Sequence, residues 1–148
     1  MICKLPVSSL LFVALALGAC GFPCSCFAED IRVRLINSSS GQPMPGQPIW
    51  AFLGRDERSL LEGTTDSEGV AIFHLPAPVV DWINVRDASH TIWHCSPYWK
   101  CTFRTSEIRE RGVVAMNTCG KHGKLTGTVT ASPGEVVLFA RPLRWYEQ

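Results

Sequence analysis

The chain has 148 residues, enough for one domain and short for two. Charged residues make up 18% and hydrophobic ones 46%, which excludes a disordered chain. The net charge of +1 supplies no basic stripe for nucleic acid and no polybasic patch for a membrane surface.

Residues 1–28 read as a signal peptide. Lys4 forms the positive n-region, and Leu10 to Leu17 form an apolar run well below the roughly 20 residues of a membrane-spanning helix. Two cleavage readings fit. Leu17-Gly18-Ala19-Cys20 resembles a lipobox, which would remove residues 1–19 and attach a lipid to Cys20. Cys26-Phe27-Ala28 instead offers release before Glu29. Both imply export to a periplasmic, envelope-anchored or secreted location, with a single domain over residues 29–148. Membrane attachment would then come only through an N-terminal lipid.

Asp30 to Ile36 is the clearest strand: Ile31, Val33 and Leu35 alternate with Arg32 and Arg34, whose face should be wet. Asn37 to Pro48 is rich in proline and glycine and reads as loop. Its Asn37-Ser38-Ser39 matches a glycosylation acceptor that matters only in eukaryotic secretion. Ile49 to Leu53 is a second strand, and Arg55-Asp56-Glu57-Arg58 is a solvated tip. Thr64 to Leu75 reads as a hairpin: Asp66 and Ser67 form the turn, Gly69 takes a conformation that a Cβ would resist, and Phe73 anchors a core from one face. Trp82 to Arg86 and Thr91 to Cys95 read as the next strand pair. Thr105 to Gly112 is the one helical stretch, capped by Thr105 or Ser106 and closed by Gly112. Leu125 to Thr130 and Glu135 to Arg141 read as a closing hairpin. Seven or eight short strands separated by Gly/Pro turns predict an all-β, Ig-like or transthyretin-like two-sheet antiparallel sandwich.

The chain resembles a known group through Ile31-Arg32-Val33-Arg34-Leu35, the Gly41-Gln42-Pro43-Met44-Pro45-Gly46 step, and Thr65-Asp66-Ser67-Glu68-Gly69-Val70-Ala71-Ile72-Phe73. Together these are similar to the carboxypeptidase regulatory-like, or transthyretin-like, sandwich over roughly residues 30 to 96. The part from Cys95 onward resembles small exported acidobacterial proteins whose activity is not established. The group's active branches carry signatures that this chain lacks. Hydroxyisourate hydrolases end in Tyr-Arg-Gly-Ser, whereas this sequence ends Arg144-Trp145-Tyr146-Glu147-Gln148. Isopeptide-bonded adhesin repeats need a first-strand lysine and a last-strand asparagine, where this chain has Arg32 and Arg34 and no asparagine over Val136 to Arg141. Intradiol dioxygenases hold iron with two tyrosines and two histidines, and no ligand-like spacing joins Tyr98 to Tyr146.

Cys95, Cys101 and Cys119 remain in any exported form, and an oxidising compartment favours a disulfide. Cys95–Cys119 is the preferred pairing because it ties a strand to the loop after the helix; Cys101–Cys119 is the alternative. Cys101 is then left as a thiol, or bonded to Cys24 or Cys26 if the lipoprotein N-terminus is kept. A zinc site could draw on His90, His94, Cys95, Cys101, Cys119 and His122, but no C-x-x-C is present, and the adjacent His94 and Cys95 would face opposite ways on a strand. No metal or other cofactor is expected. Nucleophilic catalysis lacks a local signature as well.

Five tryptophans are many for this length, and the adjacent Tyr98 and Trp99 could stack on a ligand. The sequence therefore predicts a noncatalytic binding or structural module of the bacterial envelope with a protein or carbohydrate partner, or with itself. A divergent hydrolase or metal-dependent enzyme is the alternative. Trp50 and Phe52 oppose Ile49, Ala51 and Leu53, Val70 and Ile72 oppose Ala71 and Phe73, and Val137 and Phe139 oppose Val136 and Leu138, so these strands are apolar on both faces. That second apolar surface must be covered by the helix and the Trp145-Tyr146 tail, or else be a contact surface.

Overall fold

A computed structural model of the chain describes residues 29–55, 59–88, 92–95, 101–119, 125 and 128–143. Its elements are β1 (Glu29–Asn37), β2 (Pro48–Leu53), β3 (Ser59–Thr64), β4 (Val70–Leu75), β5 (Trp82–Asp87), β6 (Ile92–His94), β7 (Thr102–Arg104), α1 (Thr105–Arg111), β8 (Val113–Val114) and β9 (Glu135–Pro142). They build two sheets. The first runs β4-β1-β9-β6, with β8 also on β9, and the second runs β3-β2-β5-β7. The fold is an all-β two-sheet sandwich with one short helix.

Alternation explains the interior. Ile31, Val33 and Leu35 of β1, Ile49, Ala51 and Leu53 of β2, Ala71, Phe73 and Leu75 of β4, and Ile83 and Val85 of β5 all point between the sheets. Ile108 of α1 plugs the same core, fully buried. The helix thus closes the interior rather than an outer face. Thr105 does not cap it by its side chain: its hydroxyl donates to the Val80 carbonyl instead, and the cap position is Arg104 with no side-chain bond.

β9 is buried on both faces. Val136, Leu138 and Ala140 enter the main core, while Val137 and Phe139 join Ile36 and Cys95 in a second cluster on the other side. Val114, Cys119, Leu125, Val129 and Ala131 pack over that cluster. At β9, then, the second apolar surface is covered by the chain between β8 and β9, not by α1. The Trp145-Tyr146 tail lies outside the described residues.

Three strand pairings differ from the sequence expectation. β3 pairs with β2 and β4 with β1, so the turn at Asp66 to Gly69 carries the chain from one sheet to the other and is not a hairpin. β5 and β6 likewise belong to different sheets. Among the described residues of 125–130 there is no strand, so no closing hairpin is seen there either. Instead β9 lies parallel to β1 and β8 and antiparallel to β6, so the sheets are not wholly antiparallel. The cause is common to all three: a period of two specifies the face a side chain takes, but not the strand beside it.

The loop before β2 and the turn before β4 interlock. Thr65 is buried; its hydroxyl donates to the Met44 carbonyl at 2.7 Å and accepts the Gln47 amide at 2.8 Å. Its backbone amide donates to the Gln47 carbonyl at 2.9 Å, and its carbonyl accepts the Gly46 amide at 2.8 Å. Asp66 completes the turn, with Oδ1 accepting the Glu68 and Val70 amides, each at 2.9 Å.

Cys95 and Cys119 form a disulfide with Cα atoms 4.7 Å apart. It fastens the covering segment to the end of β6, beside a hydrogen bond from the Thr118 hydroxyl to the Cys95 carbonyl at 2.6 Å. The Asn117 side-chain amide reaches across to the Ser38 carbonyl at 3.0 Å. Cys101 lies in the main core, and loss of hydration pushes its thiol up to about 11. Non-reducing peptide mapping should recover Cys95 linked to Cys119, and iodoacetamide should leave Cys101 unmodified until the protein is unfolded. Alkylation of Cys95 or Cys119 in the native oxidised protein would contradict the pairing. Breaking the bond, which spans 24 positions, should cost about 3 kcal/mol.

Candidate functional site

The outer face of the β3-β2-β5-β7 sheet carries the least ordinary chemistry of the described residues. Because Ile49, Ala51 and Leu53 point inward, β2 must present Trp50 and Phe52 outward. For the same reason β5 presents Trp82, Asn84 and Arg86, and β7 presents Thr102 and Arg104. Strand register sets these side chains in rows: Glu62, Trp50 and Arg86 in one, Leu60, Phe52, Asn84 and Thr102 in the next, and Trp82 with Arg104 beyond.

The rings are half-buried, and arginines lie over two of them. The Arg86 guanidinium stands 4.6 Å from the Phe52 ring centre. Its Nε donates to Asn84 Oδ1 at 3.1 Å, and Asn84 Nδ2 donates to the Thr102 hydroxyl at 2.9 Å, so the buried Asn84 is satisfied at both ends. Trp50 meets Phe52 edge to face with centroids 6.2 Å apart. Trp82 takes two guanidiniums, Arg55 at 4.6 Å and Arg104 at 4.9 Å from the ring centre. An arginine can cover an aromatic face while its N–H edges stay in water, contributing about 0.5–1 kcal/mol per exposed contact. Arg55, expected as part of a solvated tip, remains exposed but is placed over Trp82.

Two adjoining grooves, of about 590 and 530 Å³, open beside Trp82, and Arg55, Asp81 and Trp82 line both. The first extends to Pro78, and the second to Arg104 and Arg109. Arg109 is engaged by Glu29: its Nε lies 2.5 Å from Oε1, and a second guanidinium nitrogen bonds Oε2. That hydrogen bond, followed by the charge of Glu29, raises the arginine further above its usual range. Arg55 and Arg104 form no salt bridge among the described residues.

The residues singled out from sequence fall elsewhere. Cys95 and Cys119 are brought together, but as a structural bond on the other sheet. Cys20, Tyr98, Trp99, His90 and His122 lie outside the described residues. His94 Nε2 accepts the Asp87 backbone amide, and burial holds the imidazole below its usual value, partly offset by the Asp87 charge, so the neutral ring is favoured. Among the described residues no three His, Cys, Asp or Glu side chains gather as a metal site. Sequence reasoning missed the arginine-covered face. Its one signal was the placement of Trp50, Phe52, Trp82 and Arg86 opposite core positions; the contacts themselves cross strands.

No protein-family model matches the chain, and neither a curated protein nor a solved structure matches it.

Proposed function

We propose that this chain is an exported, noncatalytic binding module of the cell envelope, and that its contact surface is the outer face of the β3-β2-β5-β7 sheet around Trp82. The observation that carries this reading is the pair of guanidiniums over one half-buried ring, beside grooves large enough for a small ligand or one stretch of a polymer. Half-buried rings edged by exposed arginine N–H groups suit a polar or charged partner. The disulfide and the resemblance to an exported sandwich family support an extracytoplasmic setting. No helix among the described residues is long and apolar enough to cross a membrane.

Affinity electrophoresis through gels holding soluble neutral and acidic polysaccharides, paired with tryptophan fluorescence, tests the surface. At least one polymer should retard the protein and change its emission. The Trp50→Ala, Trp82→Ala double variant should lose both effects while keeping its far-UV circular dichroism. If no polymer retards the protein, or the folded double variant is retarded equally, the reading fails.

A further inference from the structure

We infer that the trough beside Trp82 binds the oxyanions of an acidic polysaccharide, with Arg55 and Arg104 as its anion ligands. This rests on the binding reading above and assigns its chemistry.

Both guanidiniums lie within 4.9 Å of the same ring centre, so their separation cannot exceed the sum of two short distances. The described residues supply neither with a carboxylate partner. Both arginines are exposed, and a guanidinium over a ring can still turn its N–H edge to solvent, from which arginine takes a carboxylate or sulfate through two hydrogen bonds. Asp81 lines the same trough and Glu29 already neutralises Arg109, so local charge is mixed rather than uniformly basic. The net charge of +1 points the same way. That disfavours a nucleic acid, which needs a long row of cations, and favours a chain whose anions are carried on hydroxyl-bearing rings. The two grooves share Arg55, Val79, Val80, Asp81 and Trp82; one also reaches Pro78 and the other Arg104 and Arg109. The exposed Ser106 on the wall adds a hydroxyl suited to sugar hydroxyls.

The test titrates the purified domain with polygalacturonate, neutral dextran, poly-glutamate and a single-stranded oligonucleotide, following tryptophan emission at several salt concentrations. Polygalacturonate should bind, dextran should not, and the affinity should fall as salt rises. Arg55→Gln and Arg104→Gln should each weaken binding about tenfold, the scale of one lost charge-assisted contact. The conservative Arg104→Lys variant should retain part of the affinity, and it serves as the readout if a glutamine variant fails to fold. Equal or tighter binding of poly-glutamate or the oligonucleotide overturns the polysaccharide assignment, as does polygalacturonate binding that survives both glutamine substitutions. Binding of dextran that depends on Trp82 but on neither arginine would overturn this inference alone and leave the contact face standing. No binding of any polymer would overturn both.

Discussion

Gly69→Ala should destabilise the domain by about 2 to 5 kcal/mol, combining the left-handed backbone penalty with a steric clash. Gly69 has φ of +72°, and a Cβ built there would stand 2.6 Å from the Leu35 carbonyl oxygen and 2.9 Å from the Met44 nitrogen. Both are backbone atoms already in use. The Met44 amide donates to that same Leu35 carbonyl at 3.0 Å, and the Leu35 amide donates to the Gly69 carbonyl at 2.8 Å. No side chain can swing aside to make room, so β1, the Pro43-Met44 segment and the turn would all have to part. Gly46 supplies the control. It has φ of +69° but nothing within 4 Å of an added Cβ, so Gly46→Ala should cost only about 1 kcal/mol. Urea denaturation of both variants at an unchanged m-value measures the difference. Equal losses would show that the close approach at Gly69 carries no energy.

Arg34→Ala should cost about 3 kcal/mol, the low end for a broken buried ion pair, because Arg34 is still 31% exposed. Its Nε donates to Glu135 Oε1 at 3.0 Å, and its terminal nitrogen reaches Oε2 at 3.4 Å and the Thr130 carbonyl at 2.7 Å. Glu135 is 7% exposed, and Oε2 also accepts the Ser132 amide at 2.9 Å. Without Arg34 the carboxylate keeps that amide but loses its counter-charge inside the fold. The Arg34→Met, Glu135→Gln double variant should lose less, since it leaves no orphaned charge and glutamine can still accept from Ser132. Chemical denaturation of both proteins decides this. A double variant less stable than Arg34→Ala would mean that the pair is not held by compensation of charge. Hydrogen exchange at the Ser132 amide should also accelerate in Arg34→Ala, reporting release of the loop that leads into β9.

Arg34 also shows where inference from the chain stopped. Its alternation with Val33 and Leu35 places it on the outward face of β1, and it is there. That face was expected to be wet. Its partner Glu135 lies 101 positions away and reaches it only because β9 runs parallel to β1. Asp66 and Gly69 were legible as turn residues because their chemistry is local: a short acceptor for nearby amides and a backbone without Cβ. That the turn joins two sheets was not legible, since β3 and β4 would carry the same residues in a hairpin. The candidate site was the least legible part. Outward positions for Trp50, Phe52, Trp82 and Arg86 follow from period-two alternation, but Arg104 reaches Trp82 through the β5–β7 register, and Arg55 from the loop beyond β2.

Side-chain period, turn chemistry and cysteine count were enough to establish an all-β sandwich, the inward residues of β1 and the anchoring Phe73, a short helix near Thr105 and a preferred Cys95–Cys119 bond. Each depends on residues close in the chain or on the small number of pairings available. Strand order, the parallel placement of β9, the covering of Val137 and Phe139 by the segment after β8, and the convergence of Arg55 and Arg104 on Trp82 belong to the tertiary structure alone. They depend on which strands become neighbours, a choice made by the joint burial of many residues that no local pattern encodes.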